Sequence, residues 1–395
     1  MTLTCIIPTV GRPSLYKALE SCRTADEVIV VVDDGRAGAW QPERLAANVK
    51  VIHVPTCARG GHQGRNAAMP HATGTHLCFL DDDDIYTYDA IDLFRAHAAD
   101  VPVIFRMDHY KHGILWREPL LEFGNVSTQM FVVPNDPAKL ARWEEHMPGI
   151  PEPGGDYTFL KGCAETMGDP VWREELVAVL RPDMPTVSIV TPWWNHLELM
   201  ADYIAAVAHR SPRDELIVVD NASKPPVGLP GIRLTTNQGF AAASNRGLEA
   251  ATRDIVLFLN NDIAMTRTDW LEPLRGAVEP GVLAGAQIRY DQHGHVDGQP
   301  LPYLDGWCLA GTRDDLLDLE GFDESYAEPA YYSDNDLCLR ARAAGMTLRE
   351  ARVGLRHKLN QTAGPDTSPV KQAASRANRE RFTRLATELL APHPA

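Results

Sequence analysis

The sequence predicts an α/β protein made of two tandem, doubly wound domains, and three observations carry that expectation. Continuous β-branched runs such as Val28–Val32 (VIVVV) and Leu216–Asp220 (LIVVD) have the composition of parallel strands covered on both faces. They alternate with amphipathic, helix-like segments, the pattern of an open sheet wound with crossover helices. The whole pattern then occurs a second time, with a period near 180 residues.

Taken in order, CIIPT (Cys5–Thr9) reads as a strand, SLYKALESC (Ser14–Cys22) as a helix, and DEVIVVVDDG (Asp26–Gly35) as a second strand. After a loop, GRNAAMPHATGTHLCFLDDDD (Gly64–Asp84) adds a helix and a strand that ends in four aspartates. In the second half, VSIVTP (Val187–Pro192), HLELMADYIAAVAH (His196–His209) and DELIVVDNAS (Asp214–Ser223) follow in the same order. The segment ASNRGLEAATRDIVLFLNND (Ala243–Asp262) then answers the aspartate-ended one. Asn66 precedes Asp83 by 17 residues, and Asn245 precedes Asp262 by 17, with no gap in either stretch. The boundary is expected in VLRPDMPTV, where Pro182 and Pro185 bracket the start of the second copy. The domains are therefore 1–182 and 183–365, with a C-terminal helical extension over 366–395.

A chain of 395 residues with 44% hydrophobic and 23% charged residues is long enough for more than one globular core. Its formal net charge of −15 argues against a surface built for non-specific contact with nucleic acid or anionic membrane. The seven cysteines are scattered and never form a CxxC pair, so free, mostly buried thiols in a reducing compartment are expected. MTLTCIIPTV lacks the basic start of a signal peptide, and no apolar run of about 18 residues occurs. These features predict a cytoplasmic location.

Acidic clusters fall at the predicted strand ends: Asp33-Asp34, Asp81 to Asp84, Asp220-Asn221 and Asn260-Asn261-Asp262. Open α/β sheets bind ligands beyond the carboxyl ends of their strands. Carboxylate oxygens at such an edge suit Mg²⁺ or Mn²⁺, although aspartates before a helix also act as N-caps. The shared placement in all four clusters favours the site.

These residues carry a family resemblance. Both halves resemble family 2 glycosyltransferases of the GT-A type, inverting enzymes that use nucleotide-sugars. In the second half VSIVTPWWN, IVVDNAS, NQGFAAASNRGL, FLNNDI, DWLEPL and GFDESYAEPAYYSDNDLCLRARAAG follow in the family's order. The resemblance implies two mostly parallel, Rossmann-like mixed sheets flanked by helices. It implies donor contacts at Asp33, Asp34, Arg65, Asn66, Asp81, Asp220, Asn221 and Asn245. It implies a DxD element, Asp81-x-Asp83, that with Asp262 and a late histidine, His357, would hold Mn²⁺ or Mg²⁺ against the donor diphosphate. The second copy departs from strict DxD, keeping Asp262 as its one carboxylate.

The resemblance also makes Asp334, in YYSDNDLCLR, the base that takes the acceptor's proton, with Asp156 in GGDYTFLKG as its counterpart. Asp156 follows Asp83 by 73 residues and Asp334 follows Asp262 by 72. Either aspartate could instead serve only as a helix N-cap. The first copy has no late histidine before Pro185. Expected partners are a UDP-, GDP- or dTDP-sugar and a glycan, protein or modified-nucleobase acceptor, with both copies holding donor. In the alternative, one copy is degenerate and binds acceptor or scaffolds.

Two other classes are weaker. Sugar-phosphate nucleotidyltransferases carry a Gly- and Lys-rich N-terminal loop that IIPTVGRPSLY lacks. A decayed, non-catalytic binding module would have lost carboxylates that this chain retains. Among the remaining features, Tyr290–Gly298, with His293 and His295, reads as a hairpin or acceptor-side loop rather than a metal site. Trp193 and Trp194 read as packing residues near a strand end, and TCARGGHQGR (Thr56–Arg65) as a donor-side loop. The terminal helix, with Phe382, Leu385 and Leu389 at helical spacing, should dock on the body or on a homodimer partner.

Overall fold

The computed structural model describes the chain except residues 38–42, 44, 56–60, 145–154, 297–298, 329–330, 359–367 and 391–395, and the side chains of 291–299. The chain divides into two compact units, Met1–Met184 and Pro185–Ala395.

Unit 1 opens with β1 (Leu3–Thr9), α1 (Leu15–Ser21), β2 (Glu27–Asp33), a single turn α2 (Asp34–Ala37) and β3 (Val49–Val54). Next come α3 (His62–Ala68), β4 (His76–Phe79), β5 (Ile85–Tyr86), α4 (Ala90–His97), β6 (Val103–His109) and β7 (Gly113–Leu115). It closes with β8 (Phe131–Pro134), α5 (Gly155–Met167) and β9 (Val171–Val179). The sheet order is β3-β2-β1-β4-β8-β6-β9-β5, with β7 on the side of β6. Strands β3, β2, β1 and β4 run parallel, and β8 enters antiparallel to β4. The fully buried β2 is what its uninterrupted β-branched run predicts.

Unit 2 repeats that plan. Its elements are β10 (Val187–Trp193), α6 (Met200–Val207), β11 (Glu215–Asp220), β12 (Gly231–Arg233), α7 (Phe240–Ala250), β13 (Ile255–Leu259) and β14 (Ile263–Met265). They continue with α8 (Glu272–Arg275), β15 (Val282–Gly285), β16 (Ile288–Val296), β17 (Gln299–Leu304), β18 (Cys308–Thr312) and α9 (Arg313–Asp318). The last are α10 (Ser333–Ala343), β19 (Thr347–Glu350), β20 (Leu355–His357) and α11 (Pro369–Leu389). The order β12-β11-β10-β13-β18-β15-β19 matches the first seven strands of the unit 1 path, β3 through β9. In unit 1 the long β9 pairs with both β6 and β5; in unit 2 that work is split, β19 lying on β15 and β20 on β14.

The duplication reaches individual hydrogen bonds. Under β1, Glu27 accepts from Thr4 Oγ1 at 2.6 Å and from the Thr73 amide at 2.7 Å. Under β10, Glu215 accepts from Ser188 Oγ at 2.6 Å and from the Thr252 amide at 3.0 Å. Satisfying the buried Glu27 and the partly buried Glu215 this way avoids the penalty of an unpaired charge.

Each unit has its own core. In unit 1 Trp143 stacks on Phe159 at 4.4 Å and meets Phe79 edge-on, while in unit 2 apolar side chains cover both faces of the sheet. The six described cysteines are free and buried; Cys57 lies outside the described residues. Trp193 is buried and Trp194 exposed. Strands β16 and β17 form the antiparallel pair expected around Tyr290, with the histidine side chains outside the described ones. Helix α11 docks on its own unit: Phe382 and Ala386 are buried among Tyr326 and Leu339, and Asn378 bonds both ways with the backbone of Ala327. No described helix is long and apolar enough to cross a membrane.

Candidate active site

In unit 2 the site grows from the end of β13. The Asn260-Asn261-Asp262 turn buries Asp262, and the pairing of β14 with β20 sets His357 opposite Ile263. That register brings His357 Nε2 to 2.9 Å from Asp262 Oδ1. The Trp307 ring lies flat on the imidazole at 5.1 Å and 6°, fixing its plane, and Asn260 Nδ2 stands 3.5 Å from the same Nε2. The buried Nδ1 of His357 has no hydrogen-bond partner among the described residues. A buried carboxylate beside an imidazole nitrogen fits a divalent ion completed by diphosphate oxygens.

Asp334 sits in the first turn of α10. Its Oδ2 accepts from the Gly306 amide at 2.9 Å and its Oδ1 from the Asn335 amide at 3.0 Å. Burial, then the charge of Asp305, push this carboxyl up to about 6. A Cβ at Gly306 would stand 3.1 Å from the Cβ and 3.2 Å from the Oδ2 of Asp334, so a larger residue there would press on the carboxylate. One tripeptide therefore ties the site together. Asp305 and Gly306 flank Asp334, while the Trp307 carbonyl accepts from the Asn260 amide at 2.9 Å and its ring carries His357. Beside Asp334 opens a cleft of about 590 Å³ whose walls include Arg289, Tyr303 and Tyr332. Asp336 points elsewhere: it accepts from Tyr326 Oη at 3.0 Å and from Arg340 Nε at 2.6 Å, anchoring α10.

Other expected donor contacts of unit 2 are engaged within the protein. Asp220 accepts from the Ser223 and Val227 amides at 2.8 and 3.1 Å and pairs with Arg233. Burial would raise its pKa, but these bonds and the Arg233 charge hold it below the usual carboxylate range. Asn221 donates to Asn237 Oδ1 and to the Gly239 carbonyl, shaping the loop before α7. Asn245 donates to the Phe322 carbonyl at 2.8 Å and accepts from the Phe322 amide at 2.9 Å. Asn66 makes the same pair of bonds with Trp143, at 2.8 and 2.9 Å. Both asparagines clamp a residue 77 positions downstream.

In unit 1 the same strand ends surround a cavity of about 230 Å³ lined by Arg12, Asp33, Arg36, Asp81, Asp83 and Arg181. Asp81 pairs with the buried Arg65, which itself lies over the Trp143 ring at 4.7 Å. Asp82 accepts from Thr9 Oγ1 at 2.6 Å and from Arg12 at 2.5 Å. Asp83 Oδ2 stands 3.7 Å from Arg12 and 3.6 Å from Arg181. Asp84 takes Gln129 Nε2 at 2.5 Å and the Arg181 amide at 2.8 Å; burial, then the Asp81 charge, push it up to about 8. Burial likewise carries Asp81 to about 6, Arg65 opposing the rise and Asp156 adding to it. Asp156 opens α5 and accepts from Ser127 Oγ at 3.3 Å, on the segment before β8 that matches Asp305–Trp307 before β18. Asp34 lies 2.7 Å from His53 and does not line the cavity.

The expectation of a metal at Asp81 and Asp83 meets a different environment here. Both carboxylates already face guanidinium groups. As they stand, these residues do not fit a divalent ion. The participants missed in the sequence are Arg12, Arg181 and Trp307. None belongs to a periodic pattern, and each is recruited by strand pairing over a long sequence separation.

A half-parallel sheet entered by an antiparallel strand, with carboxylates at the carboxyl edge and a second copy of the whole, defines a tandem GT-A protein. The chain belongs to glycosyl transferase family 2, whose model matches residues 4–145 and 188–322. It is 27% identical over 241 residues to the uncharacterized protein y4gI of Sinorhizobium fredii (strain NBRC 101917 / NGR234), covering 49% of this chain and 26% of that protein. The chain thus spans about a quarter of the length of that curated relative.

Among solved structures it is similar to the mannosyltransferase PcManGT from Pyrobaculum calidifontis in complex with GDP-Man and Mn²⁺. That likeness has 17% identity and a TM-score of 0.37, covering 53% of this chain and 76% of that one. It is also similar to glucosyl-3-phosphoglycerate synthase from Mycobacterium tuberculosis, at 18% identity and TM-score 0.36, covering 53% and 80%.

Proposed function

We propose that the chain is a glycosyltransferase that moves a sugar from a nucleoside-diphosphate donor to an acceptor hydroxyl with inversion, and that each unit holds a donor. The observation that carries this reading is the Asp305–Trp307 tripeptide, which joins Asp334 to the Asp262–His357 pair. A displacement at an anomeric carbon needs a base on the acceptor side and positive charge on the leaving side, held at fixed separation.

Asp262 and His357 would hold Mn²⁺ or Mg²⁺, which when bound offsets the charge growing on the leaving diphosphate. Asp334 accepts the acceptor's proton as the acceptor oxygen bonds to the anomeric carbon and the bond to the diphosphate breaks. The Gly306 and Asn335 amides hold its two oxygens in place during that transfer. The cleft beside Asp334 admits the acceptor, a glycan, protein or modified nucleobase. In unit 1, Asp156 occupies the place of Asp334 and the arginine-lined cavity receives the second donor.

The test is Asp83→Ala and Asp262→Ala made separately, with sugar transfer and donor hydrolysis measured for each across UDP-, GDP- and dTDP-sugars. Two donor sites predict that each change removes part of the activity. If one change abolishes all activity and the other alters nothing, the chain has one catalytic unit and a degenerate sibling.

A further inference from the structure

We propose that unit 1 binds its nucleoside diphosphate without a divalent ion, Arg12 and Arg181 supplying the positive charge that the metal supplies in unit 2. The proposal rests on the reading of unit 1 as a donor site.

In unit 2, His357 reaches Asp262 because β20 runs antiparallel to β14, with His357 opposite Ile263. In unit 1, β9 runs antiparallel to β5 in the same way, Ile85 facing Val179. The chain leaving β9 then passes the aspartates as the chain leaving β20 does: the Arg181 amide bonds Asp84, and the Lys358 amide bonds the Asp262 carbonyl. Asp83 is the counterpart of Asp262 by the ungapped 17-residue spacing. Where unit 2 sets an imidazole 2.9 Å from that aspartate, unit 1 sets the guanidinium of Arg181 at 3.6 Å. Arg181, one residue past the place of His357, thus brings a cation to the carboxylate that a cation ligand faces in unit 2.

Arg12 approaches the same carboxylate oxygen from the end of β1, at 3.7 Å. Both arginine side chains are half exposed and line the cavity, the Arg181 guanidinium also lying 4.9 Å from the centre of the Tyr110 ring. A guanidinium has five donors in a planar fork. It can therefore keep one N–H on Asp83 while two others grip diphosphate oxygens, which is the bridging that a divalent ion performs between carboxylate and phosphate. Arg36 adds a third cationic wall. A divalent ion placed at Asp83 would instead meet two guanidinium groups at close range and be repelled by both.

The experiment is titration calorimetry of UDP and GDP into the full chain carrying Asp262→Ala and His357→Ala, once with Mn²⁺ and once with EDTA. Circular dichroism confirms the fold of each variant. The expected result is nucleotide binding in EDTA, with a Kd that Mn²⁺ changes by less than about threefold. Adding Arg12→Ala or Arg181→Ala should weaken it on the order of 10- to 100-fold, as loss of charge-assisted hydrogen bonds does. Mn²⁺ titration of the unaltered chain with nucleotide should give one ion per chain. Binding that appears only with Mn²⁺, or two ions per chain, overturns the proposal and leaves unit 1 as a metal-using donor site. No nucleotide binding with or without Mn²⁺ overturns the donor-site reading itself.

Discussion

As the proposed base, Asp334 must act as an anion, and its surroundings resist that form. Desolvation at the start of α10 and the neighbouring Asp305 raise its pKa from the ordinary 3.8 to about 6. A base with that pKa is ionised at pH 7 yet closer to the ideal for proton transfer than a free carboxylate. Activity should therefore fall as pH drops through about 6, and Asp334→Asn should lose that acid limb together with roughly 10²- to 10⁴-fold in kcat. The stability sign is opposite. Because the folded pKa lies above the unfolded one, the group favours folding most below pH ~4, and that contribution is lost as pH rises through about 6. Asp334→Asn should then melt higher than the unaltered chain at pH 7.5, and the two should converge near pH 4. A melting-temperature series against pH, run beside the rate profile, separates this from a simple capping role. A cap replaced by Asn changes neither the rate limb nor the convergence.

Elements are held to one another by a few polar clamps that recur in both units. Asn66 in α3 and Asn245 in α7 each bond the amide and the carbonyl of a residue 77 positions on. Each replacement by Ala strands a buried amide and carbonyl, and should cost about 2–3 kcal/mol in urea unfolding with the m-value unchanged. If these asparagines instead served mainly as donor contacts, stability would hold and the donor KM would rise.

The clamps also mark what was readable beforehand. The 17-residue spacing from Asn66 to Asp83 and from Asn245 to Asp262 identified both asparagines. Their partners, Trp143 and Phe322, lie across unrelated sequence and carry no motif. Strands β2 and β11 were plain because burial on both faces demands unbroken β-branched runs. The antiparallel entry of β8 and β18 was not, since FVVP and CLAGT say nothing about direction.

At the scale of the whole molecule, the repeat was legible because two copies of one fold keep their carboxylates at the same strand ends. The divergence between the copies was hidden, because Arg181 acquires its meaning only when β9 pairs with β5. That divergence predicts separable behaviour. Each unit has its own sheet and its own apolar core, cut between Met184 and Pro185. Residues 1–184 and 185–395 expressed apart should each unfold in one cooperative transition.

At about 100 times Kd, a nucleoside diphosphate stabilises its unit by about 2.7 kcal/mol, a shift of roughly 5–10 °C for chains of this size. The second unit should show that shift with Mn²⁺ and lose it in EDTA, because Asp262 and His357 alone offer a diphosphate little positive charge. The first should show it equally in both, since Arg12 and Arg181 belong to the chain. Added salt then discriminates once more. Half-exposed guanidinium groups are screened by ions, so raising NaCl from about 0.05 to 0.5 M should erode the shift of unit 1 more than that of unit 2. Equal Mn²⁺ dependence in the two halves would mean that the arginines merely neutralise the aspartates of an ordinary metal site.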